Sequence, residues 1–167
     1  MKSFRKTFAV VSTIVALFAC ISPETLARPR TQAKQDKQVV AKLAQLLEQS
    51  GYPYRKAAEN VWVVNFKGKS LTDINVFVTS AESLVVMGAV VAPKSSMKVT
   101  QEMTVKLLRI VHDIDRVKIG FDSDDDLFLR AEVGAKCLDL AEFKDYMEQV
   151  SAGTDKVHAA IKAYLAK

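Results

Sequence analysis

Eight consecutive residues, Leu84 to Val91, carry no polar side chain. Ser83 precedes the run and Pro93 closes it. A stretch this short, rich in valine and bounded by turn-forming residues, reads as a strand rather than a helix. A half-buried antiparallel strand alternates apolar and polar residues, whereas this one is apolar at both parities. It therefore belongs inside a sheet with both faces covered. Helices of the same chain can cover one face. The other calls for a partner, a second copy or a ligand.

The neighbouring segments supply the rest of that sheet. Val61 to Phe66 is β-branched and aromatic. Ile74, Val76 and Val78 alternate with Asn75, Phe77 and Thr79, and Thr79 to Ser83 forms a hairpin loop into the central run. A short strand near Tyr54 to Ala57 can precede this block. Further on, Arg116 to Phe121 and Leu127 to Val133 make a second hairpin around the acidic turn Asp122 to Asp126. In its returning strand Leu127, Leu129, Ala131 and Val133 face one way, and Phe128, Arg130 and Glu132 the other.

Three helices flank these strands. Residues 36–50 place Val39, Val40, Leu43, Leu46 and Leu47 on one face, and Gly51 and Pro53 end the helix. Residues 99–113 carry the stripe Met103, Leu107, Ile110, Val111 and Ile114, with Thr100 as N-cap. The last helix opens on Asp139 with Glu142 three residues on, and Leu138 can staple to Phe143. Its stripe of Phe143, Met147, Val150, Val157, Ile161 and Tyr164 stays in phase across Gly153. One helix to about residue 165 is predicted, the alternative being a break with Thr154 capping a separate helix. The short connections imply an α+β fold: an antiparallel sheet with helices packed on one face, in the order α-β-β-β-α-β-β-α.

Residues 1–27 read as an export signal. Lys2, Arg5 and Lys6 precede an uncharged apolar run from Phe8 to Ile21, and Thr25-Leu26-Ala27 gives a small-x-small cleavage site. The run is shorter than the roughly 20 residues that cross a bilayer. Cleavage near Ala27 predicts a periplasmic or secreted protein. Leu17-Phe18-Ala19-Cys20 also fits a lipobox, which would instead anchor the protein to a membrane through Cys20. Residues 28–35 read as a flexible arm and 36–167 as a single domain.

Cleavage leaves 140 of the 167 residues. The signal takes three of the 24 basic and one of the 19 acidic residues, so the remainder holds 21 against 18, a net +3. That balance, without a basic stripe interleaved with aromatics, argues against nucleic-acid binding. Only Cys137 remains outside the signal. An internal disulfide is impossible, and the residue reads as a small buried hydrophobe.

Nothing in the sequence recruits catalysis, a cofactor or a metal. His112 stands beside Asp113, but adjacent helical residues point to different faces, so His112 reads as a helix C-terminus. His158 lies beside the last apolar stripe without a sequence-adjacent partner. Asp122, Asp124 and Asp126 have the spacing of calcium ligands, yet Leu127 and Val133 stand where an EF-hand needs Gly and Glu. A solvated hairpin turn fits better. An enzyme using His112 or Cys137 remains a third class of reading.

Strand parity nominates Val61, Val63, Phe77, Met87 and Phe128 as contacts on the sheet face away from the helices. The layout resembles the bacterial YbjN-type sensory-transduction regulator family, whose fold is similar to type III secretion chaperones. The resemblance spans roughly residues 36–166. It rests on the Leu43-Leu46-Leu47 helix ending at Gly51-Tyr52, the Val61-to-Phe66 strand, and the Ile119-to-Leu129 hairpin before a long final helix. It implies a non-enzymatic, dimeric, chaperone-like binding module, whose partner would be a second copy or an exported protein or peptide. A carrier of a small apolar ligand, with a pocket between helices and sheet, is the alternative.

Overall fold

The computed structural model describes residues 30–166. The export signal, Cys20 and the cleavage position near Ala27 lie outside the described residues.

Helix α1 (Arg30–Ser50) buries Val39, Leu43, Leu46 and Leu47, the stripe expected from its periodicity. It begins six residues ahead of the expected start, so residues 30–35, read as a flexible arm, are helical. Ala, Lys and Gln in that stretch are good helix formers, and they carry no apolar stripe for periodicity to detect.

Four strands follow, the larger of the two numbers that the optional strand near Tyr54 allowed. Strand β1 (Tyr54–Ala58) is the short segment anticipated near Tyr54, and its polar, mostly exposed residues belong to a sheet edge. β2 (Val61–Phe66), β3 (Ile74–Ala81) and β4 (Leu84–Ala92) continue the meander. The β3–β4 turn is tighter than expected: Glu82 and Ser83 alone separate the strands, with Glu82 at φ 56°. Then come α2 (Gln101–Val111), β5 (Lys118–Phe121), β6 (Leu127–Gly134) and α3 (Leu140–Ile161). The order is therefore α-β-β-β-β-α-β-β-α, an α+β fold.

Among the described residues the strands form one six-stranded antiparallel sheet in the order β1-β2-β3-β4-β6-β5. The wholly apolar β4 lies inside it, between β3 and β6. α3 runs over β4, β6 and β3 with α1 beside it over β3, and α2 packs on α3 and β5. One continuous core results, from Leu43 and Leu47 through Trp62, Val64, Val76, Val78, Met87 and Leu129 to Phe143 and Met147.

The helix termini follow from local chemistry. The Thr100 side chain accepts from the Met103 amide, and Asp139 accepts from the Glu142 amide. α3 runs unbroken through Gly153, and Thr154 sits inside it, its hydroxyl donating to the Val150 carbonyl at 2.7 Å. A single 3₁₀ turn, Lys162–Tyr164, then brings Leu165 to bridge Met97. Among the described residues no helix is long and apolar enough to cross a membrane.

Candidate functional site

Among the described residues, two surfaces of this frame carry apolar side chains that no helix covers. The first is the open face of the sheet. Directly opposed residues of antiparallel strands share a face, so register assigns its members. Val63 pairs with Phe77, Phe77 with Gly88, Gly88 with Arg130, and Val90 with Phe128. Val61, Val63, Phe77 and Phe128 thus share the face away from the helices, as strand parity predicts.

Met87 does not. It pairs with Val78 and Ala131, is fully buried, and belongs to the core beneath the helices. Both parities of β4 are apolar, so composition could not separate its two faces; the two-residue turn sets the register that puts Met87 inside. Val86 and Val90 occupy the open face in its place.

The open face is largely seated on itself. A Cβ at Gly88 would lie 2.5 Å from Phe77 Cζ, so the missing side chain is what lets the ring lie across β4. The same pairing recurs at the edge, where Phe128 opposes Gly120. The Arg130 guanidinium stands 5.3 Å from the centre of the Phe128 ring, within cation–π range. Glu132 lies between two cations: Lys118 Nζ donates to Oε2 at 2.6 Å, and Arg130 Nε sits 2.8 Å from Oε1 as an ion contact rather than an aligned hydrogen bond. The Lys118 hydrogen bond, with the Arg130 charge behind it, holds the Glu132 carboxyl below its ordinary range against the opposing effect of desolvation. Val63 is only 9% exposed, and Phe77 and Phe128 are half-buried.

The second surface is the outward side of α2. The helix buries Met103, Leu107 and Ile110. Val111, expected in that stripe, instead stands 42% exposed at the last turn, on a side turned away from the core. Val105 and Leu108 are also exposed. Along one flank a groove is lined by Gln101, Glu102, Val105, Lys106, Arg109 and Tyr164. The Tyr164 hydroxyl is pushed up by desolvation and by its hydrogen bond to Glu102.

A polar cluster absent from the sequence reading joins α3 to the β2–β3 loop. Asp155 Oδ1 accepts from the amides of Ser70 and Leu71, both at 2.8 Å, and Oδ2 accepts from Lys69 at 3.0 Å. These amides, the Leu71 bond foremost, hold the Asp155 carboxyl below its ordinary range. Ser70 Oγ lies 2.8 Å from His158 Nδ1, and burial lowers the imidazole pKa despite the nearby Asp155 charge. The i, i+3 spacing of Asp155 and His158 was the available signal; their loop partners lie more than 80 residues away. Serine, histidine and aspartate suggest nucleophilic chemistry, but Asp155 binds backbone amides rather than the imidazole. The amides of Lys69, Ser70 and Leu71 are already engaged by that carboxylate and cannot serve an oxyanion. The cluster anchors a loop.

The other sequence candidates are dispersed. His112 ends α2, its amide donating to Arg109 and Ile110, and is exposed. Cys137 is exposed too, in the turn after β6, rather than buried as expected. The Asp122 carboxylate is occupied within its own turn, accepting from the amides of Asp124 at 3.0 Å and Asp126 at 2.9 Å.

No family model matches this sequence, and no curated protein sequence matches it. Solved structures share its fold. A chain of the heterodimeric ExoU–SpcU complex, from the type III secretion system of Pseudomonas aeruginosa, aligns at TM-score 0.54 and 13% identity, covering 71% of this chain and 97% of that one. YbjN from E. coli aligns at TM-score 0.55 and 13% identity, over 76% and 94%. A chain of the ExsC–ExsE complex aligns at TM-score 0.53 and 15% identity, over 75% and 95%. At these identities the likeness is one of fold.

Proposed function

We propose that this chain is an exported, non-enzymatic, chaperone-like module of the bacterial envelope that binds a protein or peptide against the open face of its sheet. One observation carries the reading: the helices pack on one face only, leaving Val61, Val63, Phe77, Val86, Val90 and Phe128 as the outer layer of the other. A flat floor of valines and seated rings suits an extended segment, whose side chains meet it at every second residue. Arg130, Glu132 and Lys118 add a polar border that would fix its direction. Support also comes from the fold, since two of the similar chains were solved in complexes with other proteins. A carrier would need space between helices and sheet, which Phe143, Met147, Leu43 and Met103 fill.

Selection of a random displayed-peptide library on the chain from Arg28 onward tests this. We predict enrichment of extended apolar sequences that bind the wild type and lose at least tenfold in affinity to a Phe77→Glu/Phe128→Glu variant that keeps its circular dichroism. Absence of enrichment, or binding indifferent to both substitutions, would refute the reading. For the address, the exported protein is expected to begin at Arg28. A lipid-modified Cys20, read by mass spectrometry of its N-terminal peptide, would make it membrane-anchored instead.

A further inference from the structure

Register runs one row of residues across all six strands of the sheet. Arg55 on β1 pairs with Val63, Val63 with Phe77, Phe77 with Gly88, Gly88 with Arg130, and Arg130 with Lys118 on β5. Directly opposed residues share a face, so the whole row lies on the side away from the helices. Its middle is apolar and shallow. The Phe77 ring and the Arg130 Cβ both close over Gly88, where an added Cβ would stand 2.5 Å from the ring and 3.1 Å from Arg130. Both ends are basic. Arg55 is exposed, and among the described residues no carboxylate pairs with it. At the other end the Lys118 and Arg130 side chains are 66% and 41% exposed and share one carboxylate, Glu132, which stands in the next row opposite Val86. Its two oxygens are both taken, Oε2 by Lys118 and Oε1 by Arg130 Nε. The strand residues that register places on this face thus hold three cations against one carboxylate.

We infer that the segment taken by this face carries a carboxylate at each end of a short apolar core, and that it crosses the strands rather than following them. The inference rests on the peptide-binding reading above and names the chemistry of its occupant. Arg55 and Arg130 are four strand spacings apart, about 19 Å at about 4.8 Å each. An extended chain rises about 3.3 Å per residue and turns every second side chain to the same side. Residues i and i+6 of the segment therefore share a face at about 20 Å, the separation of the two arginines. Residues i+2 and i+4 fall between them, over Val63, Phe77 and the floor at Gly88. A segment laid along the strands would miss at least one of the basic borders. A basic segment would meet like charge at both. A wholly apolar one would take water from the flanking cations without pairing them.

Titration of labelled peptides with the chain from Arg28 onward, which contains every described element, tests the inference by fluorescence anisotropy. The reference peptide is capped at both ends, with glutamate at its first and seventh positions, leucine at its third and fifth, and threonine between. It should bind about tenfold tighter than the same peptide with glutamine for both glutamates, the size of two partly exposed ion pairs. Exchanging the last glutamate with the leucine at the fifth position should cost about threefold, and raised salt should shrink the whole advantage. Arg55→Ala, at an exposed position, should keep its circular dichroism, weaken the glutamate peptide about threefold and leave the glutamine peptide unchanged. Equal affinity for the two peptides, both weakened by Phe77→Glu/Phe128→Glu, would overturn this inference and leave capture on the sheet standing. A glutamate advantage untouched by Arg55→Ala would overturn the crossing geometry. Binding of neither peptide would count against both readings.

Discussion

The open face of the sheet and the outward face of α2 are built from similar residues, and they differ in what those residues rest on. On the sheet, Phe77 lies over Gly88, Phe128 opposes Gly120, and Arg130 stands over the Phe128 ring. Neighbours within the same chain already bury part of each ring. On α2, Val105, Leu108 and Val111 point away from the core, and Leu108 is 68% exposed. The hydrophobic effect acts on area removed from water, so the two surfaces differ in how much burial is still available. The sheet offers a preformed floor with modest area to gain. α2 offers more area per residue and no fold of its own to support. The sheet suits an extended segment read by shape.

Stability should separate the two most sharply. Phe77→Ala empties a seat inside the fold and should cost about 2 kcal/mol, less than a fully buried phenylalanine because the ring is half-exposed. Leu108→Ala should change monomer stability by no more than about 0.5 kcal/mol. Urea unfolding of each single variant, at concentrations low enough to keep the chain monomeric, measures the contrast. Equal costs would erase the distinction. Gly88→Val is the complementary probe. Its side chain should displace the Phe77 ring and destabilise by about 1–3 kcal/mol, with a matching loss of peptide capture.

Acid should divide the surfaces next. The Glu132 carboxyl is held below its ordinary range by Lys118, and Asp155 by the loop amides. A depressed carboxyl stabilises the fold above its unfolded pKa, and that contribution is lost as pH falls through the folded value. His158 shifts in the same sense, since burial favours its neutral form, so its share fades as pH drops below the ordinary imidazole range. Stability should therefore decline in two stages on acidification. Asp155→Asn should shrink the lower one. Val105, Leu108 and Val111 carry no carboxylate, so the α2 surface should take no part in either stage. Unfolding curves over one pH series would show whether the two stages part. Arg130→Ala should cost only about 0.5–1 kcal/mol, because its ring contact and its pairing with Glu132 are both partly exposed.

Residues whose own pattern reports their environment were legible in the sequence. The α1 stripe, the Thr100 and Asp139 caps, the alternation along β6 and the continuous α3 all follow from periodicity and capping chemistry. Four of the five sheet-face candidates, Val61, Val63, Phe77 and Phe128, lie where parity puts them. Met87 does not, because β4 is apolar at both parities and only its turn fixes the register. β1 was faint because an exposed edge strand needs no alternation. The exposure of Val111 depends on how far the helix rolls onto α3, which its own periodicity fixes only loosely. The Asp155 anchor was hidden for another reason: its partners are backbone amides distant in sequence, and amides leave no residue signature.

The most direct test is the affinity of one library-selected peptide for the wild type, Leu108→Glu and Phe77→Glu/Phe128→Glu side by side, each from Arg28 onward. The account predicts equal binding by the wild type and Leu108→Glu, and a loss of at least tenfold in the doubly charged sheet variant. Binding that survives on the charged sheet and is lost in Leu108→Glu would show that α2, not the sheet, takes the segment.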